Sequence, residues 1–200
     1  MRPHFNSNDD LVDYLVNQMY IESDRVETAF RNVDRARFVP EEMIGDAYTD
    51  QPLSIGEEAT ISAPHMVAIS TELLEPGRDQ RILEIGSGSG YQLAILAELA
   101  DEVVGVEILP GLVEKSRERL EGRKNIEIFQ GSGFEPVEGD FDRILYSCGI
   151  DSFREAVPRL RQGGVIVAPI NEDSGQILRR YRDGDVTEHS HVSFVRFRED

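Results

Sequence analysis

The sequence predicts an α/β fold: a Rossmann-like, doubly wound sheet, mostly parallel, with helices on both faces. Three observations carry that expectation. Ile82, Leu83 and Ile85 form an apolar run of strand length that enters the turn Gly86-Ser87-Gly88-Ser89-Gly90, and Leu93, Ala94, Ala97 and Ala100 then take helical spacing. A strand, a tight glycine turn and a helix make the first half of a βαβ nucleotide-binding unit. Val103-Val104-Gly105-Val106-Glu107 is a second apolar strand, and it ends in an acid. Strand-like and helix-like segments continue to alternate as far as Pro169, which is the pattern of a parallel sheet built by crossovers.

The spacing within the turn selects among ligands. A dinucleotide fingerprint, G-x-G-x-x-G, would place its third glycine at Tyr91; the chain instead reads G-x-G-x-G, with Glu84 two residues before the first glycine. A carboxylate at the end of the second strand, Glu107, can accept both hydrogen bonds of a ribose diol. The glycines alone would fit a turn in any α/β fold. Both acids at these spacings narrow the choice.

Composition bounds the rest. Two hundred residues fit one domain with a sizeable core. The net charge is −17, from 38 acids against 21 bases, which argues against nucleic acid as a partner. Lys115 and Lys124 are the only lysines, and an acidic, lysine-poor surface suits a cytosol of high salt. One cysteine excludes an internal disulfide and fits a reducing compartment. The first twenty residues lack a signal pattern and no apolar run approaches membrane-spanning length, so a cytoplasmic monomer without membrane attachment is expected.

In chain order, residues 9–20 pattern as an amphipathic helix with Leu11, Val12, Leu15, Val16 and Met19 inward. A second helix starts at Ser23 or Asp24 and carries Val26, Ala29, Phe30 and Val33. Residues 1–60 thus read as a helical extension plus a long loop, 61–170 as the cofactor-binding core, and 171–200 as antiparallel strands, all in one domain. Residues 47–66 form a connection long enough to be a binding loop. Ser62, just before Ala63-Pro64 and an apolar helical pattern, stands where an N-cap belongs. Pro110 to Leu120 is a helix, Ile126 to Phe129 a strand, and Asp140 to Ser147 a strand whose end points at the same cleft as the glycine turn. Ser152 to Leu160 reads as a helix leading to a strand at Val165 to Pro169. Gln176 to Arg182 and Val192 to Arg198 read as a pair flanking the turn Asp183-Gly184-Asp185. Cys148 reads as a small buried filler. His189 and His191, at i and i+2, permit a metal but lack a third ligand nearby, so surface histidines are expected and no metal.

Glu84, the glycines and Glu107 resemble the S-adenosylmethionine site of class I methyltransferases. Asp34 to Pro40, Ala47 to Ile55, Leu83 to Tyr91, Gln162 to Ile170, Phe194-Val195 and above all Ala59-Thr60-Ile61-Ser62-Ala63-Pro64-His65-Met66 resemble protein-L-isoaspartate O-methyltransferases. The resemblance runs from about residue 10 to the end, and the Thr-Ile-Ser-x-Pro loop is its specific part. It implies S-adenosyl-L-methionine as cofactor, held by Glu84, Gly86, Ser87, Gly88, Gly90, Glu107, Ile108, Ser132 and Gly133. It implies Ser62, helped by Thr60, at the reacting carboxylate. The implied activity is methylation of the α-carboxylate of L-isoaspartyl residues in damaged proteins, with a cofactor-binding relative that has a different acceptor or no repair activity as the alternative. Two positions depart from the family pattern: Ser132 stands where an adenine-facing Asp is usual, and Cys148-Gly149-Ile150-Asp151 replaces an alanine-rich turn.

Overall fold

The computed structural model describes residues 3–198, so the outer two residues of the expected N- and C-terminal segments lie outside the described residues. α1 (Asn8–Asn17) is capped by the Ser7 hydroxyl, which accepts the Asp10 N–H, and it buries Leu11, Val12 and Leu15. It ends earlier than its apolar pattern suggests because Met19 takes a left-handed φ of 60°. α2 (Asp24–Asn32) begins at the expected cap, Ser23, whose hydroxyl accepts the Val26 N–H, and buries Val26, Ala29 and Phe30. Two short 3-10 helices, Arg35–Phe38 and Glu41–Asp46, lead into a hairpin of β1 (Leu53–Gly56) and β2 (Ala59–Ile61). The expected loop is therefore partly ordered by its own antiparallel pairs, Leu53 with Ile61 and Ser54 with Thr60.

After α3 (Pro64–Leu74) come β3 (Arg81–Ile85), α4 (Tyr91–Leu99), β4 (Glu102–Glu107), α5 (Pro110–Arg119), β5 (Ile126–Gln130) and β6 (Phe141–Tyr146). β7 (Leu160–Glu172), β8 (Gly175–Arg182) and β9 (Asp185–Val192) complete the sheet, whose order is β5-β4-β3-β6-β7-β8-β9. The first five strands in that order are parallel; β8 and β9 add the antiparallel edge. β3 has β4 on one side and β6 on the other, so the sheet grows in opposite directions from it. A crevice for a ligand opens beyond the carboxyl ends of strands at such a switch point.

Burial explains the pattern of the central strands. Ile82 and Val103 face one apolar cluster with all five α-helices, while Leu83, Ile85, Val104 and Val106 face a second. That second cluster is closed by Phe134, Val137 and the turn around Phe153, Ala156 and Val157. Strands buried on both faces read as continuous apolar runs, as these do.

Three expectations need correction. The helix expected over Ser152 to Leu160 is a turn followed by the 3-10 helix Val157–Arg159. Pro158 supplies no N–H and disfavours the α conformation at Val157, so an α-helix does not propagate there. The last strand is Asp185–Val192, not Val192 to Arg198, because the two left-handed residues Asp183 and Gly184 turn the chain straight back into pairing. Residues 193–198 instead cross the carboxyl edge of the sheet. Finally, β9 carries a bulge at His189, between the pairs Leu178–Ser190 and Arg179–Glu188, so the simple i, i+2 alternation of His189 and His191 is broken.

Gly90 closes the turn where α4 meets α5. Its φ is +84°, and a Cβ there would lie 2.9 Å from Leu120 Cδ1 and 3.2 Å from Ser116 Cβ. Gly90→Ala is expected to lower stability by about 2 kcal/mol, from backbone strain plus overpacking, as read by urea unfolding. An unchanged midpoint would show that α5 shifts freely.

Candidate active site

The crevice is a cleft of about 630 Å³ at the carboxyl ends of β3, β4 and β6. Gly86, Gly88, Glu107, Ile108, Ser132 and Gly133, all assigned to a cofactor by the resemblance, are brought together along it. Gly88, at φ +50°, lets the turn double back so that its N–H reaches Glu107 Oε2 at 2.8 Å. Glu107 Oε1 accepts the Leu109 N–H at 3.0 Å. Each carboxylate oxygen has a further lone pair, so the group still has two acceptor sites for a diol.

A second cavity, of about 470 Å³, continues from the glycine turn and is lined by Glu84, Ser87, Ser70, Gln92 and Tyr146. Glu84 is 1% exposed, and its Oε1 accepts a 2.6 Å hydrogen bond from the Ser147 hydroxyl. Its Oε2 and the Ser87 Oγ are buried without a hydrogen-bond partner. Burial pushes the Glu84 carboxyl up to about 8, against the Ser147 hydrogen bond and with the Glu107 charge adding to the rise. Two orphaned oxygens at the end of a cleft are the acceptor set that a small cationic or amino-bearing ligand would complete.

A third cavity, about 960 Å³ and open to the surface, is lined by Ser62, His65, Met66, His191 and Phe194. Thr60 and Ser147 line all three cavities, and Ser62 lines the second and third. The two hydroxyls named from sequence therefore stand where the cavity continuing from the glycine turn meets the third cavity.

Two site expectations change. Gly90 lines none of these cavities; its role is the α4–α5 contact described above. Ser62 does not cap α3: the cap residue is Ala63, without a side-chain bond. Asp50 supplies the capping oxygen instead, accepting the His65 N–H at 3.0 Å. Ser132 lines the cleft, but its hydroxyl donates to the Arg198 carbonyl at 3.1 Å, a bond that a carboxylate at this position could not make. Cys148 packs beneath Gly86, and burial pushes its thiol up to about 12, as suits a filler and not a nucleophile.

Sequence reasoning missed Ser147 and the crossing segment. Gly149 donates to the Val195 carbonyl at 2.8 Å and accepts from the Phe197 N–H at 2.9 Å, which lays residues 195–198 along the cleft. The Gln176 side chain clamps both the N–H and the carbonyl of Phe194. Among the described residues no group of three or more His, Cys, Asp or Glu is placed to hold a metal. No helix of the described residues is long and apolar enough to cross a membrane.

The switch-point cleft, the glycine turn and the acid ending β4 define an S-adenosylmethionine-dependent methyltransferase. Residues 6–198 match the family model described as protein-L-isoaspartate(D-aspartate) O-methyltransferase. A protein-L-isoaspartate O-methyltransferase of Methanopyrus kandleri is 38% identical over 193 residues, covering 90% of this chain and 85% of its own length. That of Halorhodospira halophila is 41% identical, covering 96% and 90%. A Plasmodium falciparum structure described as such an enzyme, in complex with S-adenosyl-L-homocysteine, superposes with a TM-score of 0.86 at 28% identity, covering 98% of this chain and all of that one. The chain belongs to the protein-L-isoaspartate(D-aspartate) O-methyltransferase family.

Proposed function

We propose that the protein methylates the α-carboxylate of L-isoaspartyl residues in damaged proteins, working as a cytoplasmic monomer, with Ser62 and Thr60 as the acceptor-orienting groups. S-adenosylmethionine, when bound, supplies a methyl group activated by a sulfonium. The reading of its site is that Glu107 accepts from the ribose hydroxyls, while Ile108, Ser132 and Gly133 adjoin the base. Gly86 and Gly88 leave bare backbone beside it. Glu84 and Ser87, whose buried oxygens lack partners, would take its amino-acid end.

The acceptor is already ionised at neutral pH, so no general base is required. What the chain must do is orient one carboxylate oxygen and keep water away from the reacting pair. The observation that carries this reading is that no other described residue engages the Ser62 or Thr60 hydroxyl, and both stand where the cofactor cleft meets the open one. Two free donors there can bind one carboxylate oxygen and leave the other to attack. The amide nitrogen of the β-linked peptide bond then attacks the ester carbonyl and expels methanol, closing a succinimide without further help, and hydrolysis of that ring returns some normal aspartate.

Because Asp50, not Ser62, caps α3, removal of the Ser62 hydroxyl tests chemistry with little effect on folding. Ser62→Ala is expected to lower turnover of an isoaspartyl peptide about tenfold to a hundredfold, the worth of a hydrogen bond to a charged group. Melting temperature and S-adenosylhomocysteine affinity should stay close to wild type. The assay pairs isoaspartyl and aspartyl forms of one peptide, in low and high salt. Equal turnover of both forms, or none by wild type at any salt, would overturn the assignment and favour a relative with another acceptor.

A further inference from the structure

We propose that His65, held in place by Asp50, is a third acceptor-binding side chain that contacts the anionic carboxylate oriented by Ser62 and Thr60. The inference rests on the isoaspartyl reading and deepens it. His65 is the second residue of α3 and lines the open cleft together with Ser62 and Thr60. Its orientation is fixed from behind. Asp50 Oδ1 meets both the His65 N–H, at 3.0 Å, and the ring Nδ1, at 2.8 Å. The ring also packs on Tyr20, with centroids 5.4 Å apart.

Asp50 is itself built for this task. Its side chain is only 7% exposed, yet it remains an acceptor: burial opposes ionisation, but the His65 bonds and the charge of Arg35 hold its carboxyl below the usual range. Arg35 is fully buried, its guanidinium donating to the carbonyls of Ala47 and Gln51. An ionised Asp50 accepts the hydrogen bond from Nδ1–H, so Nε2 is the ring nitrogen left for a ligand.

The cleft's composition points to an anion. In a chain of 38 acids and net charge −17, no acid lines this cavity, and its titratable side chains are two imidazoles, His65 and His191. An imidazole donates to a carboxylate through Nε2 only when that nitrogen carries a proton. With Nδ1–H already donated to Asp50, an Nε2–H donor makes the ring an imidazolium, the cation that pairs with a carboxylate. The groups facing that ring are Asp50 and Tyr20, with Tyr14 and Arg35 behind Asp50 and His191 on the same cleft.

Methylation removes the acceptor's negative charge, so this contact holds the substrate at least as tightly as the transition state. Its loss should raise KM and leave kcat unchanged or slightly higher, a split that general disruption of the fold would not produce.

The test uses the full chain with a synthetic isoaspartyl peptide, measuring kcat and KM near pH 7. Peptide binding to the S-adenosylhomocysteine-saturated protein is followed by calorimetry. His65→Phe keeps the ring on Tyr20 and removes both nitrogens; Asp50→Asn keeps a capping oxygen and removes the charge. His65→Phe should raise KM about tenfold with kcat and S-adenosylhomocysteine affinity unchanged, and weaken peptide binding by a similar factor. Asp50→Asn should show a smaller rise in the same direction. An unchanged KM in His65→Phe, or a fall in kcat at constant KM, overturns the inference while wild-type turnover leaves the isoaspartyl reading standing. If wild type neither binds nor methylates the peptide, both fall together.

Discussion

Glu84→Gln is expected to weaken S-adenosylmethionine binding by about tenfold to a hundredfold and to flatten the pH dependence of the cofactor-free protein's stability. The first effect follows from charge. Glu84 Oε2 is buried and unpartnered at the inner end of the cleft, and a neutral amide cannot pair with the cofactor's ammonium as a carboxylate can. The second follows from linkage. Free glutamate titrates at 4.5, whereas burial raises folded Glu84 to about 8, so between those values the folded chain holds a proton that the unfolded chain has released. This stabilising contribution is complete below pH 4.5 and is lost as pH rises through about 8. Wild-type melting temperature should therefore fall across that window, and Glu84→Gln should remove this component. Cofactor affinity of the wild type should rise over the same interval, because an ammonium favours the ionised carboxylate. Calorimetry at pH 6 and pH 8 reads both. A wild-type affinity that does not change between them would detach Glu84 from the ammonium.

What could be read from sequence was what neighbours in sequence decide. Glu84, Gly86, Gly88 and Glu107 were legible because the strand, the turn and the strand end are each local patterns, and the parallel crossover then brings the two acids to one edge. The Ser23 cap was legible for the same reason. Ser62 illustrates the limit. A serine before Ala-Pro matches an N-cap, yet the capping oxygen comes from Asp50, fifteen residues before the His65 N–H it accepts, and frees the serine for the cleft.

The rest of the site depends on contacts at longer range. Ser147 meets Glu84 across 63 residues because β6 lies beside β3, a pairing that no local pattern announces. The final segment was misread as a strand because Phe194, Val195 and Phe197 look like one. Its alternation is spent on Gly149, Gln176 and the cleft wall instead of on a ladder. Ser132 belongs to the same group. Judged against the usual aspartate it is a lost acceptor; in the fold it gains a donor's role, tying the Arg198 carbonyl to the rim of the cleft.

Glu107→Ala is expected to reduce S-adenosylhomocysteine affinity more than any other single change outside the glycine turn. Two losses combine. The first is direct: the two acceptor sites left open on the carboxylate disappear, and hydrogen bonds to a charged group are each worth about 1.5–3 kcal/mol. The second is indirect, since Gly88 N–H and Leu109 N–H both end on this side chain. Without it, the Gly88 corner loses the bond that folds it over β4, so the surface presented to the ligand is no longer preorganised. Glu107→Gln separates the two terms. Its amide has only one oxygen, so it can satisfy one of the two N–H groups and cannot accept from a diol at both ends. Its affinity should fall between wild type and Glu107→Ala. Calorimetric titration of the three proteins should give that order with melting temperatures within a few degrees of one another. Equal affinity in wild type and Glu107→Gln would mean that the side chain serves the turn alone and the ribose is held elsewhere.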